Sequence, residues 1–409
     1  MRHSNIIAAL GLSLTLAACG NTTQPDTQAG LAPLYSHGET IPGQYIVALK
    51  DGTLTTGGVT AQNAGGLLSA LGLNAADVTV QHVYSSAFNG FAAQLKADAL
   101  AKLRSDPRVE YIEQDQVMRV TPEANDGMNA QATQTGATWG LDRVDQRNLP
   151  LNGTYNYYRT GSGVTAYIVD TGIRRTHVDF GGRAVSGYTS INDGRGTTDC
   201  NGHGTHVAGT VGGSAYGVAK SVRLVAVRVL DCNGSGSTSG IIAALDWIRS
   251  TRSGPSVANM SLGGGASSSL DTAVNNLWNS GVTVVVAAGN SNANACNYSP
   301  ARASGTVTVA SSTSSDARSS FSNWGSCVEL FAPGSNITSA WHTGDTATNT
   351  ISGTSMASPH VAGAAALYLS GNPGASPSTV RSVIINQSTT NVISGVSGSP
   401  NRLLYTPGL

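Results

Sequence analysis

Val164-Thr165-Ala166-Tyr167-Ile168-Val169-Asp170 is an apolar run without alternation that stops on a carboxylate. A strand with one wet face alternates apolar and polar residues, whereas a strand buried on both faces does not. Similar runs recur at 222–230, 257–260, 282–288 and 306–310. Helical patterns are predicted between and beyond them, at 203–213, 238–250, 268–279, 355–370 and 377–387. Alternating strands and helices predict one large α/β domain over 132–409, with a mostly parallel sheet covered by helices on both faces. Polar residues gather where the runs end, at Asp170, Ser261 and Gly289-Asn290. Sites in such sheets form at the carboxyl ends of strands, so this edge is the candidate active site.

Working outward toward the N-terminus, the pattern changes. Tyr45-Ile46-Val47-Ala48-Leu49, Val78-Thr79-Val80-Gln81-His82-Val83, the stretch 88–95 and Val109-Glu110-Tyr111-Ile112-Glu113 read as strands. Leu67, Leu68 and Leu71, then Leu100 and Leu103, fall at helical spacing within 60–72 and 97–104. The order β-α-β-β-α-β predicts a small ferredoxin-like α+β domain over 41–120. Residues 20–40 read as a flexible spacer and 121–131 as an exposed junction. The chain opens Met1-Arg2-His3, runs apolar over 6–18 and meets Cys19, which describes an export signal within 1–19. Leu16-Ala17-Ala18-Cys19 looks like a lipobox, with Cys19 the lipidated residue; ordinary signal cleavage beside an incidental cysteine is the alternative. The apolar stretch is too short for a membrane-spanning helix, and none longer follows.

Composition removes other classes. Lys+Arg and Asp+Glu both number 23, without basic runs, which argues against a nucleic-acid binder. A charged fraction of 11% with 40% hydrophobic residues argues against disorder. Fifty glycines without a Gly-X-Y period exclude collagen. The zero net charge joins unlike parts: residues 20–131 hold 6 basic and 11 acidic side chains, residues 132–409 hold 16 and 12. An acidic small domain facing a mildly basic large one would be helped to dock, more weakly at high salt. Outside the cytosol Cys200, Cys232, Cys296 and Cys327 predict two disulfides, with three pairings open. No CxxC arm supports zinc.

Three motifs carry chemistry. Ile168-Val169-Asp170-Thr171-Gly172 ends a strand. Asn201-Gly202-His203-Gly204-Thr205-His206 sets a histidine between glycines where a helix begins. Gly353-Thr354-Ser355-Met356-Ala357-Ser358-Pro359-His360 places a serine at another helix start, with Pro359 expected in a first turn. A serine hydroxyl needs a base to accept its proton, and a histidine needs a partner to fix its tautomer. Asp…His…Ser in that chain order separates the sequence from esterases, which carry GxSxG and the order Ser…Asp…His. His206, His177 and His360 read as packing histidines, and 234–240 lacks the lysine of a phosphate loop.

Around Asp170, His203 and Ser355 the chain resembles the subtilisin-like serine proteases. Trp139-Gly140-Leu141-Asp142-Arg143, Asp199-Cys200-Asn201-Gly202-His203, Val227-Arg228-Val229-Leu230-Asp231-Cys232 and Asn294-Ala295-Cys296-Asn297-Tyr298-Ser299-Pro300 narrow the resemblance to the proteinase K branch and its aqualysin-type members. The resemblance covers essentially 132–409, and 41–120 looks like the inhibitory propeptide of these enzymes. It implies a subtilisin-like fold and a secreted, autoprocessed endopeptidase of broad specificity with apolar P1, acting on proteins and peptides as a monomer. No organic cofactor is implied, and the membrane is met only through lipid on the precursor. The propeptide is expected to template folding and to block the cleft with its tail, and maturation is expected near the bond between Gln131 and Ala132. The resemblance assigns Asn290 to the oxyanion hole. It assigns Ser261-Leu262-Gly263 and Gly234-Ser235-Gly236 to substrate edges, and Ala287-Ala288-Gly289 to the S1 pocket. It implies disulfides Cys200–Cys232 and Cys296–Cys327. Structural calcium is expected at Asp142, Asp145 and Gln146, and at Glu329 with carbonyls near Ser304 and Thr306, where the family aspartate is replaced by glutamate.

Overall fold

The computed structural model describes residues 30–50, 64–119 and 136–409. Cys19, the first half of the spacer and the bond between Gln131 and Ala132 lie outside the described residues.

The small domain runs β1 (Thr40–Leu49), α1 (Ala64–Ala70), β2 (Val78–Tyr84), β3 (Gly90–Leu95), α2 (Ala97–Ser105) and β4 (Val109–Arg119). Its sheet is antiparallel in the order β4-β1-β3-β2. Alternation along β1 divides two interiors. Val47 and Leu49 point to a core shared with Leu67, Leu71 and Leu103, whereas Ile46 and Ala48 join the core of the large domain. The sheet is therefore apolar on both faces, one covered by its own helices and one by the other domain.

Two expectations change. The spacer is ordered in its second half: Leu34–Tyr35 pairs in parallel with Ile112 and Glu113, the Pro33 carbonyl accepts from Ile112 N, and Tyr35 meets Tyr111 edge-on at 5.7 Å. The closing strand runs six residues beyond Glu113, to Arg119.

The large domain holds α3 (Trp139–Asp145), β5 (Thr165–Asp170), β6 (Ala184–Thr189), α4 (His203–Gly212), β7 (Arg223–Arg228), β8 (Ser235–Ser237), α5 (Thr238–Thr251), β9 (Ser256–Met260) and α6 (Ser268–Asn279). There follow β10 (Val282–Ala287), β11 (Val307–Ser312), β12 (Leu330–Pro333), α7 (Thr354–Gly371), α8 (Pro377–Gln387), β13 (Thr389–Thr390) and β14 (Arg402–Leu403). The sheet order is β13-β14-β12-β11-β10-β9-β5-β7-β6, and only the β13–β14 pair is antiparallel. Helices α4 and α7 pack together on one face, α5 and α6 on the other. Every residue of β5, β9 and β10 is buried, which is why these runs do not alternate. Each valine of β10 removed from water contributes about 1.5–3 kcal/mol. On α6, Leu270, Ala273, Val274 and Leu277 form the buried stripe. No helix among the described residues is long and apolar enough to cross a membrane.

Candidate active site

Asp170 ends β5 and is fully buried. His203 opens α4, and its Nδ1 lies 2.8 and 3.0 Å from the two Asp170 carboxylate oxygens. Close backbone approach makes this possible. A Cβ on Gly204 would stand 2.2 Å from the Gly172 carbonyl, so only glycine lets the helix start settle on the turn after β5. His203 Nε2 is buried and has no hydrogen-bond partner among the described residues.

Ser355 lies in the first turn of α7, which packs on α4. Its hydroxyl donates to the Ser261 carbonyl at 3.2 Å. Pro359 sits in the second turn of α7 rather than the first. Its missing N–H would have bonded the carbonyl four residues earlier, that of Ser355. The Ser261 hydroxyl donates to that carbonyl instead, at 2.8 Å, and so ties the end of β9 to the α7 start. Asn290 Oδ1 accepts from the backbone N–H and the hydroxyl of Thr354, at 2.9 and 2.7 Å. This turns its amide nitrogen toward Ser355: a Cβ added to Gly353 would sit 3.3 Å from Asn290 Nδ2 and 3.5 Å from the Ser355 backbone nitrogen. Two donors thus converge on one point at a helix N-terminus, where the dipole favours negative charge.

Beside them opens a cavity of about 230 Å³ lined by Leu262, Gly263, Ala287, Ala288, Gly289, Asn290, Ser355 and, from the small domain, Arg119. The end of β4 lies in this cleft as a middle strand. Val117, Met118 and Arg119 pair antiparallel with Ser237, Gly236 and Ser235. Arg119 N donates to the Gly263 carbonyl (3.2 Å) and Gly263 N to that of Arg119 (3.4 Å). Met118 is fully buried against Gly264. Two carboxylates on β4 anchor the strand. Asp115 accepts from Ser239 N and Oγ at 3.2 and 2.5 Å, and Glu113 from Ser269 N and Oγ at 3.1 and 2.9 Å. Burial raises both carboxyls against the pull of these donors. Asp246 of α5 accepts in return from Ser86 N and Ala87 N. Periodicity alone does not reveal these anchors; the available signal is a pair of acids two residues apart, hence on one face, at the polar end of a strand.

The disulfides join Cys200 to Cys232 and Cys296 to Cys327. Loops of about 30 residues closed this way contribute about 2–4 kcal/mol. His206 Nε2 meets the Ile337 carbonyl at 2.8 Å, His360 Nδ1 that of Met356 at 2.9 Å and His177 Nε2 that of Ala347 at 2.8 Å. Burial holds the His206 and His360 imidazoles down to about 3 and about 4.

Asp142 accepts from Asn152 N and Gly153 N, and Asp145 Oδ2 from the backbone and amide nitrogens of Asn156. Asp145 Oδ1 is buried without a partner among the described residues, and burial, with the Asp142 charge beside it, raises the Asp145 carboxyl. Gln146 Nε2 donates to the Asn148 and Pro150 carbonyls. Glu329 Oε2 accepts from Thr308 N at 2.6 Å, and burial pushes its carboxyl to about 7. The Ser304 and Thr306 carbonyls accept from the Arg381 guanidinium at 3.0 and 3.3 Å.

Comparison with known proteins agrees along the whole chain. A family model described as the subtilase family matches residues 161–403, and one described as peptidase inhibitor I9 matches 44–121. The "Extracellular serine proteinase" of Thermus sp. (strain Rt41A) is 52% identical over 421 residues, covering 100% of both chains. The "Alkaline serine exoprotease A" of Vibrio alginolyticus is 58% identical over 329 residues, covering 80% of this chain and 60% of that one. A solved structure described as a cold adapted subtilisin-like serine proteinase superposes with TM-score 0.65 at 60% identity, over 66% of this chain and 99% of that one.

Proposed function

This chain belongs to the subtilase family of serine proteases and carries an I9-type inhibitor domain ahead of its catalytic domain; from that premise we propose that it is exported as a proprotein and hydrolyses peptide bonds through an acyl-enzyme on Ser355. The strongest support is the Asp170–His203 contact of 2.8 Å together with the convergence of Asn290 Nδ2 and Ser355 N beside Gly353. His203 Nε2 takes the Ser355 proton as the hydroxyl attacks the carbonyl carbon, while Asp170 holds Nδ1–H and stabilises the imidazolium. The tetrahedral oxyanion is received by Asn290 Nδ2 and Ser355 N–H. His203 then protonates the leaving amine, and a water activated by the same imidazole releases the acid.

The Gly234-Ser235-Gly236 and Ser261-Leu262-Gly263 edges take extended substrate through its main chain, which is indifferent to side-chain identity and gives broad specificity. Ala287, Ala288 and Gly289 leave room for a sizeable apolar P1 residue. The β4 tail, seated between those edges, makes the small domain an intramolecular inhibitor. We assign residues 1–19 to export, the inhibitor domain up to about residue 120, 121–131 to the junction and 132–409 to the mature monomer, with processing near the bond between Gln131 and Ala132. Lipid on Cys19 would anchor the precursor alone, so processing frees the enzyme; intact mass and N-terminal sequencing of the secreted form test both assignments. Ser355→Ala should lower turnover by on the order of a millionfold and leave full-length proprotein. Efficient maturation of the purified variant would refute self-processing.

Calcium fits the first expected site. The Asp145 Oδ1 that no described residue meets, with Asp142, Gln146 and neighbouring carbonyls, forms a hard oxygen set of the kind that cation takes. The ion would neutralise two adjacent carboxylates and fix the start of the mature chain. The Glu329 site does not fit: the guanidinium of Arg381 already bonds its carbonyls, so no calcium is assigned there. Excess chelator should lower Tm while serine-directed labelling of Ser355 persists, and metal analysis should show no loss of calcium in Glu329→Gln.

A further inference from the structure

We infer that Asp199 is a positioning residue for the catalytic pair, holding the first turn of α4 against the turn after β5 and thereby setting the contact between His203 and Asp170. The inference rests on the function proposed above.

A helix start leaves its first N–H groups without intrahelical acceptors, and a side chain at the N-cap ordinarily supplies one. The N-cap of α4 is Gly202, which has none. The groups are met from outside the helix: His203 N donates to Asn201 Oδ1 (3.2 Å), Gly204 N to Thr171 Oγ1 (2.9 Å) and Thr205 N to Asp199 Oδ2 (2.9 Å). Asp199 is 5% exposed and has no ion pair among the described residues. Its Oδ1 accepts from Thr171 Oγ1, Asn201 N and Gly202 N, each at 2.9 Å, and its Oδ2 also accepts from Thr205 Oγ1 at 2.6 Å. One buried carboxylate thus gathers neutral donors from both motifs that carry the catalytic pair.

Thr171 is the hinge of the arrangement. Its hydroxyl accepts from Gly204 N, beside His203, and donates to Asp199, while its own N–H donates to Asp170 Oδ1 at 2.7 Å. Donors meet both Asp199 oxygens, so an amide, with a single oxygen, would set its NH2 against either the Thr171 side or the Thr205 side; a carboxylate is needed and an amide is not equivalent. The same loop reaches the substrate edge: Cys200 is bonded to Cys232, and Asn201 Nδ2 donates to the Cys232 carbonyl at 3.1 Å, just ahead of Gly234.

The test uses the self-processed enzyme carrying Asp199→Asn, Thr171→Val, Thr171→Ser or the Asp199→Asn/Thr171→Val pair. Serine-directed labelling counts the competent molecules in each. Positioning predicts a fall in kcat per labelled site of about tenfold to a hundredfold, the usual scale for orienting partners. It predicts KM within about twofold, because no group touching substrate is altered. It also predicts an acid limb of kcat/KM moved to lower pH as Asp170 loses its alignment with the imidazole. Thr171→Ser should recover what Thr171→Val loses, and the pair should lose little more than Asp199→Asn alone. Unchanged kcat per labelled site, an unmoved acid limb or multiplicative losses would overturn the inference. If Asp199→Asn does not mature, Thr171→Val with its serine rescue decides by the same readings. A wild type that neither labels at Ser355 nor cleaves peptide would instead refute the proposed function.

Discussion

Helices α4 and α7 begin with the catalytic side chains, whereas α5 and α6 begin with serines that bind the propeptide. Both pairs exploit the same physics, the partial positive charge and free N–H groups of a helix start. At α7 the Asn290 amide and the Ser355 backbone N–H converge beside Gly353, where charge appears only during reaction. At α5 and α6 the N-caps Ser237 and Ser267 are already engaged, and the backbone N–H and hydroxyl of Ser239 and Ser269 hold the carboxyl groups of Asp115 and Glu113 in the docked state. One face of the domain therefore uses helix starts for chemistry and the other for docking. Donors aimed at the point of attack serve a transition state; donors that already hold a carboxyl group serve a complex.

The largest expected effect separates the two faces. Asn290→Ala removes one donor at the α7 start and should cut kcat about 100- to 1,000-fold, with propeptide affinity nearly unchanged. A comparable loss of inhibition would mean that the two faces are not independent. Asp115→Ala and Glu113→Ala act on the other face. Bonds to a charged acceptor are worth about 1.5–3 kcal/mol, but burial of the carboxylate offsets part, so each should weaken inhibition by roughly tenfold. On the proposed processing site the mature enzyme lacks both residues, so its own activity should stay the same. Weakening of inhibition below twofold would make the carboxylates passengers.

The smallest effect sharpens the comparison through its sign. His206 on α4 and His360 on α7 stay neutral in the fold, at about 3 and about 4, while the unfolded chain protonates them near 6.5. Stability is complete above about pH 6.5 and falls as pH drops toward 4, by up to ~1.4 kcal/mol per unit for each histidine. Glu113 and Asp115 run the other way. Their carboxyls are raised when docked, so docking retains protons that the released propeptide gives up. Inhibition should tighten as pH falls toward the ordinary carboxylate range and loosen as it rises. Melting curves of the mature enzyme and propeptide inhibition constants across about pH 4 to 8 check both. Parallel trends would contradict the division of roles.

Much of this was legible in residue order. The ranges 268–279 and 377–387 coincide with α6 and α8, because an apolar stripe on a well-bounded helix is a local signal. Asp170, His203 and Ser355 stood out through their motifs. The end of β4 was not legible: Gln114-Asp115-Gln116-Val117-Met118-Arg119 reads as a polar exit from a strand, yet Asp115, Gln116 and Met118 are buried. Leu34 and Tyr35 looked like spacer because their partner strand lies almost eighty residues away. The role of Asp199 is not legible in Asp199-Cys200-Asn201-Gly202-His203, since its acceptors count only once Thr171 and Thr205 are brought to it.

Residue order alone determined which elements form, their sequence along the chain and which side chains can act as base and nucleophile, while the oxyanion donor Asn290 came from the family resemblance. These follow from local periodicity and from functional groups that no neighbour can replace. The tertiary structure decided which cysteines join, which carbonyls meet Arg381, and which acids anchor the inhibitor rather than face water. Each of these depends on partners far apart in sequence, 124 residues for Ser239 with Asp115 and 156 for Ser269 with Glu113. A buried polar group is satisfied only by what the fold carries to it.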